Sequence, residues 1–230
     1  MFTGISRNGL ILGAFTLATT LLITLTFWLT KPVIEQQQQQ KLLQTLSEVM
    51  PASQWDNDLA NNCALVSEPL LGVGAHKVYR AWLGDEPSGL ILESTTPQGY
   101  SGNIKYLVSI LDNHTIGGVR VLAHKETPGL GDKIELRISD WILTFSGKSI
   151  LDTEGTNWAV KKDGGRFDQF TGATITPRAI IKGVKDTTLW ASENYEEIFA
   201  APNDCADTSL TVADFTSKTA LNNPEPSSNE

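Results

Sequence analysis

Asp168-Gln169-Phe170-Thr171-Gly172-Ala173-Thr174-Ile175-Thr176 runs directly into Pro177 and a helical pattern, and this junction organises the rest of the 230-residue chain. After it, Ile180, Ile181, Val184, Ala191 and Tyr195 recur at three- and four-residue spacing, as in a helix that buries one face. Thr176 is expected to cap that helix, with Pro177 in its first position, where a missing N–H costs nothing. Thr174 then lies just ahead of the helix, where free backbone N–H groups and the positive end of the dipole favour an anion. Gly172 and Ala173 keep bulk away, so a phosphate or a large enzyme can approach the backbone closely. An ordinary strand-to-helix turn with a threonine cap accounts for the same nine residues.

Upstream the period changes. Residues 77–83, 90–94, 104–111 and 119–123 are short β-rich runs separated by turns at 84–89 and 112–114. Connections this short imply an antiparallel meander, because a parallel crossover needs a dozen or more residues. Residues 132–145 start as a helix with Ile134, Ile138 and Trp141 on one face. A last strand near 158–161 is expected before a loop rich in glycine and charge. The fold class is therefore α+β: a single N-terminal transmembrane helix, then one domain with a mainly antiparallel sheet and packed helices.

From Gly9 to Thr30 no charged residue occurs. About 22 residues at about 1.5 Å each reach about 33 Å, enough for a bilayer core of about 30 Å. Arg7 precedes the stretch, and Trp28 and Lys31 mark its far end as an aromatic anchor beside a snorkelling base. A cleaved signal peptide would need a shorter apolar region and a small-x-small site, which Leu29-Thr30-Lys31-Pro32-Val33 does not supply. The organisation expected is a cytoplasmic N-terminus and membrane helix over 1–31, a helical stalk over 32–62, a domain over 63–205 and a disordered tail over 206–230. In the stalk, Gln36 to Gln40 lead into an apolar stripe of Leu42, Leu43, Leu46, Val49 and Met50, which Pro51 ends. The tail is polar and acidic with little apolar content.

The net charge is -8 and the basic residues are scattered, which excludes the electrostatic footprint of a nucleic-acid binder. The two cysteines, Cys63 and Cys205, are too few for a four-thiolate iron–sulfur cluster and lack C-x-x-C spacing. Redox chemistry would need another cofactor. No metal-ligand set occurs, and no nucleophile elbow, P-loop or dinucleotide fingerprint. The cysteines flank the domain, where a disulfide could tie its two ends; two unrelated buried thiols fit the count as well. Arg7 and the α-amino group barely outweigh Lys31, so charge does not decide orientation. A bridge would favour an extracytoplasmic domain.

The opening stretch resembles the flavinylation motif Asp-x-x-[Ser/Thr]-Gly-Ala-[Thr/Ser] of covalent FMN domains, matching it at every defining position. Gly99-Tyr100-Ser101-Gly102-Asn103-Ile104 and His124-Lys125-Glu126-Thr127-Pro128-Gly129-Leu130-Gly131-Asp132 resemble the same family in the correct order. With the single anchor, these segments resemble the RnfG family, the G subunits of Rnf ion-translocating electron-transport complexes, over most of residues 1–205. That family's relatives include a flavin-bearing subunit of the sodium-pumping NADH:quinone reductase.

The resemblance implies FMN esterified through its phosphate to Thr174, with Asp168, Thr171, Gly172 and Ala173 serving recognition by a flavin transferase. Thr176, Tyr100, Glu126, Thr127, Pro128, Gly129, Leu130 and Gly131 are then expected at the flavin pocket, with His124 adjacent. Tyr100 is preferred over Trp141 and Trp158 as the aromatic neighbour of the ring. The implied partners are the other membrane and peripheral subunits of an Rnf-type complex. The implied location is the bacterial inner membrane, single-pass, with the C-terminal domain periplasmic. The implied reaction is electron flow between ferredoxin and NAD coupled to ion movement, or, in some bacteria, reduction of a redox-sensing regulator, with this subunit carrying electrons and not catalysing alone. An anchored assembly or binding subunit without flavin is the competing reading, and a stand-alone flavin reductase a third.

Overall fold

Five strands follow one another in space as they do in sequence: β1 (Cys63–Val66), β2 (His76–Leu83), β3 (Glu86–Gly99), β4 (Gly102–Leu111) and β5 (Ile116–Ala123). Each pairs antiparallel with the next, as short reversing connections require. The computed structural model describes residues 2–150 and 157–205, so the expected tail over 206–230 lies outside the described residues.

The strands are apolar on both faces. Val78, Leu90, Leu92, Tyr106, Val108, Ile110 and Val119 belong to one buried cluster, while Tyr79, Ala81, Ile91 and Leu107, which alternate with them, are buried on the other side. The second face is covered by the end of α1 (Phe2–Val49). There Leu46, Val49 and Met50 are buried, the Ser109 hydroxyl donates to the Val49 carbonyl, and Gly118 N–H donates to Ser109 Oγ at 2.8 Å. On the first face lies α2 (Ile175–Glu193), which contributes Ile180, Ile181, Val184 and Ala191. Its Thr187 hydroxyl donates to Ser94 Oγ at 3.0 Å and lies 3.3 Å from the Tyr106 hydroxyl, so the polar atoms of this interface are satisfied.

Helix α1 is continuous through Pro32, so the expected anchor and the glutamine run share one helix. Its stretch Gly9–Lys31 has a mean hydropathy of 2.1 and is long and apolar enough to cross a membrane. Within it Thr16, Thr20, Thr26 and Thr30 donate their hydroxyls to the carbonyl four residues earlier, so these groups need no partner from lipid. The chain divides into compact units between Gln44 and Thr45, ahead of the boundary expected at residue 63. The apolar stripe explains the difference, since Leu46, Val49 and Met50 belong to the domain's core. Residues 51–62 are not helical as a whole and hold only two short 3-10 turns, Ala52–Gln54 and Leu59–Asn61.

Three other local expectations are corrected. Residues 132–145 form two 3-10 turns, Gly131–Ile134 and Asp140–Phe145; in the second, Ser139 Oγ accepts the Trp141 N–H at 3.1 Å. No strand forms at 158–161, where only a single bridge joins Val160 to Phe167. The chain instead buries Trp158 and Phe167, 5.3 Å apart, in an aromatic cluster with Phe145. Tyr195 does not continue the long helix. Asn194 ends α2 by donating its backbone N–H and its side-chain amide to the Trp190 carbonyl, at 3.0 and 2.7 Å, and Tyr195 opens α3 (Tyr195–Ala200).

The outer edge of β1 is closed by residues 203–204, which follow α3. Asn203 Oδ1 accepts Cys63 N–H at 3.1 Å, Asp204 Oδ2 accepts Leu65 N–H at 3.0 Å, and Asp204 N–H donates to the Cys63 carbonyl at 2.9 Å. Cys63 and Cys205 form a disulfide there, with Cα atoms 5.3 Å apart. Beside it the buried Arg80 donates to Asn62 Oδ1 at 2.7 Å and to the carbonyls of Ala201 and Ile198 at 2.5 and 3.3 Å. Burial pushes its pKa down, and the charge of Asp204 opposes that.

Replacing both cysteines by serine in the full chain is expected to lower the unfolding free energy by about 2–4 kcal/mol, read from denaturant melts followed by tryptophan fluorescence. Superimposable melts would show that the backbone and Arg80 contacts hold this edge alone. Arg80→Met should also destabilise, by about 1–3 kcal/mol, since it leaves the buried Ile198 carbonyl and the half-buried Asn62 and Ala201 acceptors without their donor.

Candidate functional site

Two turns of the same design face each other at the start of α2. In Thr127-Pro128-Gly129-Leu130 the Leu130 N–H donates to the Thr127 carbonyl at 3.1 Å, and in Phe170-Thr171-Gly172-Ala173 the Ala173 N–H donates to the Phe170 carbonyl at 3.2 Å. The third residue of each is glycine with positive φ, 77° at Gly129 and 81° at Gly172, a conformation that side chains resist. The turns nearly touch: a Cβ on Gly172 would lie 3.3 Å from Leu130 Cδ2.

Behind them stands Glu126, 5% exposed. Its Oε1 accepts the Ser101 N–H at 2.9 Å, and its Oε2 accepts the Thr176 hydroxyl. Thr176 therefore does not cap the helix. Thr174 occupies the cap position and its side chain makes no capping bond; Thr176, the second helical residue, sends its hydroxyl inward. Pro177 falls third rather than first, still within the turn where no intrahelical donor is needed. Gly131 passes so close that a Cβ there would meet Thr176 Oγ1 at 2.8 Å and Glu126 Oε2 at 2.9 Å.

Together these segments enclose a cleft of 400 Å³ lined by Tyr100, Glu126, Thr127, Leu130, Gly131, Gly172, Ala173, Thr174, Ile175 and Thr176. All of these except Ile175 are expected from the sequence. Asp168, Thr171, Pro128 and Gly129 do not line it. The last three sit on the exposed turns, and the Asp168 carboxylate pairs on the surface with Lys161 at 2.6 Å, while its carbonyl accepts the Trp141 indole N–H at 2.8 Å. Trp141 and Trp158 belong to the buried aromatic cluster and not to this cleft, whereas Tyr100 is 69% exposed at its mouth. Trp158 borders a second cleft of 320 Å³, which shares Ile175 with the first.

Sequence reasoning missed Ile175 and the Ser101 N–H. The signal for Ile175 was its position outside the buried stripe of Ile180, Ile181 and Val184: an apolar residue 46% exposed on the first helical turn. Nothing in the sequence marks a backbone donor such as Ser101. His124 stays outside the cleft. Its Nδ1 accepts the Glu126 N–H at 3.0 Å, so the neutral ring carries its proton on Nε2 and donates to Glu135 Oε1 at 2.6 Å. The Arg137 hydrogen bond, aided by His124, holds the Glu135 carboxyl below its usual range.

The arrangement fits FMN. The cleft volume lies within the range of about 300–1,000 Å³ usual for small-molecule sites, and its lining mixes apolar surface with the polar groups of Tyr100, Glu126, Thr127, Thr174 and Thr176. The uncapped Thr174 hydroxyl and the free N–H groups of the first helical turn suit a phosphoryl group. Tyr100, Leu130 and Ile175 offer exposed apolar surface for a flat ring.

Comparison with known proteins agrees. The FMN-binding domain family matches residues 99–188, and the RnfG N-terminal region matches residues 1–49. The G subunit of the ion-translocating oxidoreductase complex of Pseudoalteromonas atlantica is 50% identical over 203 residues, 87% of this chain and 94% of that protein. The corresponding protein of Vibrio atlanticus is 48% identical, and that of Vibrio cholerae 47%, each over 206 residues, 89% of this chain and 99% of theirs. The chain therefore belongs to the RnfG family, the G subunits of ion-translocating oxidoreductase complexes, as an electron-transport flavoprotein with one FMN-binding domain.

Proposed function

We propose that FMN is joined covalently, by a phosphoester, to the Thr174 hydroxyl and that the chain carries electrons between neighbouring cofactors of its complex. The observation that carries this reading is the uncapped Thr174 hydroxyl at the start of α2, opening on the 400 Å³ cleft. The bound flavin supplies the electron-transfer chemistry. The protein's own groups do the rest: the first-turn N–H groups of α2 hold the phosphodiester, Tyr100, Leu130 and Ile175 shield a ring, and Glu126 fixes the walls.

A flavin transferase is the maturation partner in this reading. The exposed Asp168 and Thr171, beside the Gly172 turn, are the groups it can reach. The other membrane and peripheral subunits are the working partners, in a reaction linking ferredoxin and NAD. We further propose a bacterial inner-membrane location with the N-terminus cytoplasmic and the domain periplasmic, supported by the apolar Gly9–Lys31 stretch and the disulfide.

Co-expression of the full chain with a flavin transferase should add one FMN less water to the intact mass, mapped to the Thr174 peptide. Thr174→Ala should abolish in-gel flavin fluorescence, and Asp168→Ala should reduce it severely. Equal loading of Thr174→Ala and wild type would overturn the attachment; an unloaded wild type would favour an anchored binding protein without flavin. For topology, Cys63 and Cys205 should react with an impermeant thiol reagent after reduction in intact cells.

A further inference from the structure

Among the described residues, Glu126 is the one charged side chain lining the cleft. Its partners are neutral, a backbone N–H and a hydroxyl, and no described cationic side chain pairs with it. A carboxylate this buried, with no described cationic side chain in ion-pair contact, projects its field into the cleft it borders more strongly than an exposed one would. A cleft of 400 Å³ is only about 7 Å across if taken as a cube, inside the roughly 10 Å over which salt screens an exposed charge.

Resting on the reading that FMN occupies this cleft, we propose that Glu126 is a positioning residue that holds a fixed negative charge beside the flavin and lowers its reduction potential. An electron delivered by the preceding carrier of the complex adds one negative charge to the cleft's occupant, and the carboxylate opposes that addition. The same carboxylate is locked in place by Ser101 and Thr176, and Gly131 packs against it where a Cβ would lie 2.9 Å from Oε2. The charge therefore cannot swing away when the electron arrives. Its effect is to keep the site a reluctant acceptor and a ready donor.

The test is mediated spectroelectrochemical titration of the flavinylated full chain in detergent, comparing wild type with E126Q and with E197Q, which removes an exposed charge on α3. Among FMN-bearing chains, E126Q, whose side-chain carbonyl still accepts the Ser101 N–H, should show a more positive midpoint potential than wild type; E197Q should match wild type. An unchanged or lower potential in E126Q would overturn the proposal, as would an equal rise in E197Q, which would make net charge the cause. Loss of loading in a folded E126Q beside a loaded wild type would also overturn it, since Glu126 would then act in attachment. An unloaded wild type would instead sink the FMN reading itself.

Discussion

The hydroxyl of Thr176 binds Glu126 instead of the helix end, and the geometry of the site depends on that choice. A hydroxyl two residues into a helix ordinarily has water or a nearby carbonyl to bond. Here it is buried and tied to a carboxylate that also holds Ser101, in the β3–β4 reversal. One side chain thus joins three segments that are far apart in sequence. It leaves Thr174 in the cap position with its hydroxyl uncommitted. Had Thr176 capped the helix, α2 would begin two residues later and Thr174 would sit on the loop ahead of it instead of in the cap position.

The meander and the long helix were legible because each rests on local pattern. Short connections dictate antiparallel pairing, and the spacing of Ile180, Ile181 and Val184 dictates a buried helix face. The loops of the site were legible through the resemblance of their motifs. What escaped was set by long-range contacts. β1 was hidden because it is four residues long and its outer edge is completed by Asn203 and Asp204. The strand expected near 158–161 gave way to burial of Trp158 against Phe167. The helix break at Asn194 follows from a side-chain amide competing for the Trp190 carbonyl, which an apolar period cannot register. In the site, Glu126 was expected at the pocket, but its bonds to a backbone N–H and a hydroxyl distant in sequence were not legible.

The sheet has no solvent face to spare. One side receives α2 and the other the last turn of α1, where the Val49 carbonyl, which no later helical N–H can reach, accepts the Ser109 hydroxyl. Arg120 adds an ion pair to Glu48 at 3.2 Å across the same junction. The stripe of Leu46, Val49 and Met50 thus reads as core rather than as stalk, so shortening the chain before residue 45 would spare the sheet while cutting into 45–50 would uncover it.

The edge formed by Asn203 and Asp204 on β1 also orders events during synthesis. The first strand made cannot fill its outer backbone bonds until nearly all of the domain has been translated. Until then it remains an open edge, available to pair with a neighbouring chain. Residues 203–205 act as the closing stitch, and a ribosome paused shortly before them would leave an otherwise assembled meander with its seam undone.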